Sequence, residues 1–163
     1  MQPEERSGRR EAVAAHPLVE LLDCPTETSI LLKQSVRAIE VQAGEVIFQQ
    51  SGPCLGLYVV ISGDFIRKAE RCEAHLTLGA ARPGDLVELA AALGNGCHTY
   101  TLAALTVGSV LLLPIEALNQ AFQSYTKLRM QLLEELAREV SRAYNACCLN
   151  RSGKTRRRGS AEC

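Results

Sequence analysis

The stretch QAGEVIFQQSGPCLGLYVVISGDF, residues 42–65, decides the fold. Its apolar runs are short, β-branched and aromatic, and glycine punctuates them at Gly44, Gly52, Gly56 and Gly63. An amphipathic helix needs an uninterrupted apolar stripe of roughly ten residues or more, whereas runs this short between turn residues form strands.

The same punctuation reaches outward in both directions. RAIEV, EVIFQ, LYVVIS, DFIRKAE, HLTLGA, TYTLAAL and SVLLLP are the strand candidates, with further breaks at Gly79, Gly84 and Gly94-Asn95-Gly96. Seven or eight short strands at this spacing predict a sandwich, jelly roll or small barrel. Helical spacing flanks them. In HPLVELLDCPTETSILLKQSV, residues 16–36, Leu18, Leu21 and Leu22 share one face. Ile30, Leu31 and Leu32 then follow Pro25, with Thr26 or Thr28 as a capping residue, which predicts one or two short helices.

After Pro114 the period is helical again: PIEALNQAF is short, and residues 125–149 run without glycine or proline. Leu133, Leu136, Val140, Ala143 and Cys147 step by three and four, while Glu134, Glu135, Arg138, Glu139 and Arg142 lie mostly off that line. Such a seam packs on its own β-domain or on a second copy of itself. The expectation is a homodimer through this terminal helix.

A chain of 163 residues suits one domain with a self-sufficient core, and 47% apolar and 22% charged residues are ordinary for a soluble globular protein. The N-terminal MQPEERSGRREAVAAHP lacks an apolar core, and no apolar run approaches the roughly 18 residues that span a bilayer. The expectations are a cytoplasmic protein, no membrane partner, and seven cysteines in reduced form. The zero net charge hides an asymmetry, with residues 151–163 at +4 and residues 1–150 at −4. The domain is expected over residues 16–149, between a disordered segment at 1–15 and a basic, disordered tail at 150–163. That tail adds at most a weak, salt-sensitive attraction to nucleic acid or acidic lipid.

Helices, a glycine-punctuated β-roll with a short helix inside it, then a long terminal helix: this order resembles the cyclic-nucleotide-binding-like effector domain of the Crp/Fnr family of bacterial regulators. The residues that carry the resemblance are Gly44, Phe48, Gly56, Tyr58 and Gly63 in the opening stretch, RPGDLVELAAAL at 82–93, and Thr101, Ala104 and Leu105 on the following strand. It implies an α+β, mainly β fold: a double-stranded β-helix or jelly roll with short N-terminal helices and a long C-terminal dimerisation helix.

The departures bear on function. Ser51, followed by Gly52, stands at a turn where the family has glycine, which a one-residue shift of the turn would accommodate. Cyclic-nucleotide-binding members carry a pocket motif Gly-Glu-x-Ala-Leu, then an arginine and a small residue. Here Glu88 matches the glutamate, Val87 replaces the glycine and His98 replaces the arginine. The pocket residues implied are Val87, Glu88, Leu89, Ala90, His98 and Thr99. In the family the glycine admits backbone N–H groups to a phosphate, the glutamate accepts a ribose hydroxyl, and the arginine binds phosphate through two charge-assisted bonds. Val87 obstructs the first role, and His98 offers a single donor in place of a permanent forked cation. Asp85 is expected to cap the short helix and repel an anion. Glu88 is read either as a solvent-facing helix residue or as a pocket residue. High-affinity cyclic-nucleotide binding is disfavoured, and no cofactor is expected.

Some fourteen residues follow Leu149, too few for a DNA-reading domain, so no sequence-specific DNA binding is expected of this chain alone. A related full-length regulator is a candidate partner. Cys72 and His75 have Cys-x-x-His spacing, and Cys97 adjoins His98, but neighbours on a strand point to opposite faces, so no metal site is expected. Cys147 on the seam could link two parallel helices on oxidation. His16, His75 and His98 are scattered, and no nucleophile stands with a base, so an enzyme is not expected. The expected function is a non-catalytic regulatory or sensor module with a degenerate phosphate site. The alternatives are a genuine cyclic-AMP or cyclic-GMP receptor, in which His98, Thr99 and helix N–H groups replace the arginine, and a cysteine- or haem-based redox sensor.

Overall fold

In the computed structural model, residues 24–157 are described, with side chains through Asn145. Helix α1 spans Thr26–Ser35, and eight strands follow: β1 (Arg37–Val41), β2 (Val46–Phe48), β3 (Gly56–Ser62), β4 (Phe65–Arg71), β5 (Ala74–Ala81), β6 (Leu86–Val87), β7 (Thr101–Ala104) and β8 (Gly108–Pro114). A five-residue helix α2 (Leu89–Leu93) separates β6 from β7, and α3 (Ile115–Ser124) and α4 (Lys127–Arg157) follow β8.

The strands form two antiparallel four-stranded sheets, in the orders β1-β8-β3-β6 and β2-β7-β4-β5. The jelly-roll expectation holds, with each glycine-bounded run a strand. Gly63 lets the chain reverse from β3 into β4. It sits at φ 84°, and a Cβ there would lie 2.7 Å from the Val107 carbonyl oxygen and 2.8 Å from the Gly108 Cα.

Strands β3 and β8 lie at the centre of the first sheet, buried on both sides, and their alternation splits the core in two. Leu57, Val59, Leu111 and Leu113 face the helices and pack with Leu89, Leu118, Leu128 and Leu132. Tyr58, Val60, Val110 and Leu112 face the roll interior with Phe48, Phe65, Val87, Tyr100 and Leu102. A strand's period of two sends successive side chains to opposite faces, so one apolar run feeds both clusters.

Several expectations need correction. Neither Thr26 nor Thr28 caps α1: Pro25 holds the cap position without a side-chain bond, and Thr28 is buried. Proline has no side-chain oxygen to accept the first-turn N–H groups, so α1 starts without a side-chain cap. The turn at Ser51 does not shift to Gly52; Ser51 itself adopts φ 66° and donates its N–H to the His98 carbonyl. The terminal helix starts at Lys127 and does not stop at Leu149, but continues through Arg157. Arginine and lysine are good helix formers, and one glycine inside a long helix costs only about 1 kcal/mol. The expected helix face at Leu18, Leu21 and Leu22, the segment 1–15 and the last residues 158–163 lie outside the described residues.

Candidate functional site: the buried network around Glu88

Glu88 sits between β6 and α2 in the left-handed region, at φ 66° and ψ 32°. That backbone turns its side chain away from solvent: Glu88 is 2% exposed and His98 4%. The solvent-facing reading of Glu88 is therefore overturned.

A buried carboxylate needs donors, and three groups supply them. His98 Nδ1 donates to Oε2 at 2.7 Å, the Thr99 backbone N–H donates to the same oxygen at 3.0 Å, and the Thr99 hydroxyl donates to Oε1 at 2.7 Å. The His98 ring lies flat on Phe48, with centroids 3.9 Å apart and planes 5° from parallel. Tyr58 and Tyr100 complete an aromatic wall around them.

The backbone side of the site is occupied in the same way. The Glu88 N–H donates to the Tyr100 hydroxyl at 3.1 Å. Val87, fully buried at the end of β6, pairs with Tyr58 of β3 and fills the space beneath. Burial pushes the Tyr58 and Tyr100 hydroxyls each up to about 12, so both are neutral donors and acceptors at physiological pH.

A cation borders this network: Arg67 on β4, whose guanidinium carbon lies 5.8 Å from the centre of the Tyr100 ring. Arg67 Nη1 donates to the Ala80 carbonyl at 2.9 Å, Nη2 is 3.9 Å from Asp85 Oδ2, and the buried Nε lacks a partner. Asp85 does not cap α2 as expected. Its carboxylate accepts from the Arg82 N–H at 2.9 Å and so closes the turn before β6, and Glu88 takes the helix-entry position.

Of the other expected pocket residues, Leu89 is buried in the helix-side cluster, Ala90 is exposed, and Thr99 is at the rim. Phe48, Tyr58, Arg67 and Tyr100 also border the network, beyond the residues that the sequence points to there. Residues 98, 100, 102 and 104 are buried in strict alternation, a period-two signal that marks Tyr100 as inward once β7 is recognised. Nothing comparable marks Arg67, a charged residue on an inward position.

Elsewhere, Cys97 is exposed while His98 is buried, so the two do not converge. Cys72 sits at the β4–β5 turn, and His75 pairs with Glu70 at 3.3 Å. Among the described residues no group of three or more His, Cys, Asp or Glu is placed to hold a metal ion. Nor is any described helix long and apolar enough to cross a membrane. A cleft of about 810 Å³ opens between the Gln49–Ser51 segment and the β4–β5 hairpin, and shares no residue with the Glu88 network.

On α4, Leu128 and Leu132 are buried against the domain and Leu136 packs beside them. Met130, Leu133, Val140 and Tyr144 are 40–69% exposed and form a stripe at heptad spacing. Of the expected seam, Leu133 and Val140 lie on this stripe, Leu136 faces inward, Ala143 is exposed, and Cys147 is on the helix beyond the described side chains.

The site is thus framed by a jelly roll that carries a short helix between its sixth and seventh strands, with a glutamate at that helix's entry. The chain matches the cyclic nucleotide-binding domain family over residues 38–125, more than half its length, and it belongs to that family. Its fold is similar to the regulatory domain of Toxoplasma gondii PKA, crystallised with cAMP (16% identity, TM-score 0.66, 76% of this chain and 49% of that one). It is also similar to the Thermus thermophilus catabolite activator protein (22% identity, TM-score 0.68, 82% and 62%). A third is the N-terminal domain of a transcriptional regulator from Streptomyces coelicolor (24% identity, TM-score 0.60, 83% and 94%). The chain spans about half the length of the first of these and under two thirds of the second. No curated protein matches it.

The glutamate's oxygens and its N–H are already bonded within the protein, and Val87 stands where the family's motif has glycine.

Proposed function

We propose that this chain is a non-catalytic regulatory module of the Crp/Fnr type whose roll is held in one state by its own side chains instead of by a cyclic nucleotide. The observation that carries this reading is the Glu88 network. His98 and Thr99 satisfy the carboxylate, and the Tyr100 hydroxyl takes the adjacent N–H. A nucleotide would have to displace these bonds and break the Phe48–His98 stack before making its own. Buried polar groups left unpaired cost about 1–3 kcal/mol each, enough to remove most of the affinity of a small ligand.

With the interior closed, the output surface is α4. Its exposed stripe of Met130, Leu133, Val140 and Tyr144 suits a second copy of the helix, either from the same chain or from a related full-length regulator. The module would work in the cytoplasm, by pairing and without chemistry.

Calorimetry with cyclic AMP and cyclic GMP tests the closed pocket. No saturable heat is expected at millimolar ligand, and micromolar binding of either nucleotide would establish a receptor in its place. Sedimentation tests the pairing: the chain is expected as a dimer that Val140→Glu dissociates, and a monomer at all concentrations would remove it.

A further inference from the structure

We propose that the basic end of α4 is a sequence-independent contact for the phosphate backbone of nucleic acid. The helix changes character along its length. From Lys127 to Asn145 its charges are mixed, and Glu135 engages both Arg138 at 2.9 Å and Arg142 at 3.1 Å. Every residue from Val140 through Asn145 is exposed, so the helix has left the body of the domain by that point. Beyond it, Arg151, Lys154, Arg156 and Arg157 lie on the same continuous helix and Arg158 follows, with no acidic residue between Glu139 and Glu162. At a rise of about 1.5 Å per residue, the helix carries these cations roughly 25 Å past Val140.

The chemistry of the stretch selects the partner. The four cations on the helix, within residues 151–157, span about 9 Å, and a nucleic-acid duplex presents one phosphate per about 1.7 Å of axis, so the two charge densities are matched. Three of the four are arginine, whose planar fork binds phosphate oxygens in pairs. A membrane-surface helix needs an apolar face to insert, and NRSGKTRRRG, residues 150–159, contains no large apolar residue. Nothing in the stretch reads bases, since phosphate contacts carry no sequence information. Ser152 and Gly153 are poor helix formers among like charges, so phosphate contacts should also firm the last turns. The proposal requires neither a closed pocket nor paired helices.

The test is fluorescence anisotropy of the full chain with a short mixed-sequence DNA duplex and an RNA duplex of the same sequence. Both should bind at low salt, and affinity should fall about a hundredfold between roughly 50 and 200 mM salt, as neutralisation of about four phosphates requires. The quadruple variant Arg151→Gln, Lys154→Gln, Arg156→Gln, Arg157→Gln should lose at least about tenfold while melting as the parent does, and the corresponding all-lysine variant should retain most of the binding. Absence of binding at low salt, equal binding by the glutamine variant, strong preference for one sequence over another, or tighter association with phosphatidylserine vesicles than with either duplex would each overturn the proposal.

Discussion

Replacing His98 with leucine tests the internal network most directly. The substitution keeps a side chain of similar size but removes the donor 2.7 Å from Glu88 Oε2 and the flat stack on Phe48. A hydrogen bond to a charged group contributes about 1.5–3 kcal/mol and an aromatic pair about 0.5–1.5, and leucine restores part of the burial, so the loss should be about 2–4 kcal/mol. For a domain of ordinary stability that is a large fraction of the total. Urea unfolding followed by far-ultraviolet circular dichroism should place the midpoint lower by about 1–2 M at a typical slope of about 2 kcal/mol/M. The same substitution made in a Glu88→Gln background separates the bond from the packing. If His98 matters through the carboxylate, the second loss is smaller than the first by at least about 1 kcal/mol. A loss below about 0.5 kcal/mol, or equal losses in the two backgrounds, would refute the reasoning.

Further outcomes follow from other parts of the fold. Gly63→Ala should destabilise by more than the roughly 1–2 kcal/mol of a left-handed alanine, because its Cβ would also press on the backbone of Val107 and Gly108; thermal melting checks it, and an unchanged melt contradicts the turn geometry. Iodoacetamide should label Cys72 and Cys97 in the native protein, whereas Cys54, buried with its thiol pushed up by that burial, should label only after unfolding; comparable rates would contradict the packing. Glu139 on α4 is half-buried, and desolvation raises its carboxyl, with Arg67 and Arg142 opposing and Asp85 and Glu135 adding. The folded state thus holds that proton more tightly than the unfolded chain, so the penalty is present above the folded value and fades as pH falls below the unfolded one. Glu139→Gln should therefore raise the melting temperature at neutral pH and lose that advantage in acid; a variant less stable than the parent at neutral pH would show that the arginines outweigh desolvation.

The fold was legible because its punctuation is local. Glycines at 44, 56 and 63 and the β-branched runs between them report strand lengths without any long-range information. The pocket was legible only in outline. Val87, Glu88 and His98 could be placed by their spacing around the short helix, but whether Glu88 faces water or the interior depends on its left-handed backbone, which a glutamate does not advertise. Arg67 could not be found, since its burial depends on a register with Leu102 and Gly79 across two other strands. The end of α4 was not legible for a related reason: the run of basic residues from Arg151 onward reads as a solvated, disordered tail, although a long helix propagates through the weak positions Ser152 and Gly153.

The division of the core by β3 and β8 has a consequence for how such a domain can change over time. Tyr58 and Val60 belong to the cluster inside the roll, while Leu57 and Val59, on the same peptide ribbon, anchor the helices. Substitutions on the interior side can therefore reshape that cluster without loosening the platform that carries α4, so the two halves of the core are free to diverge independently.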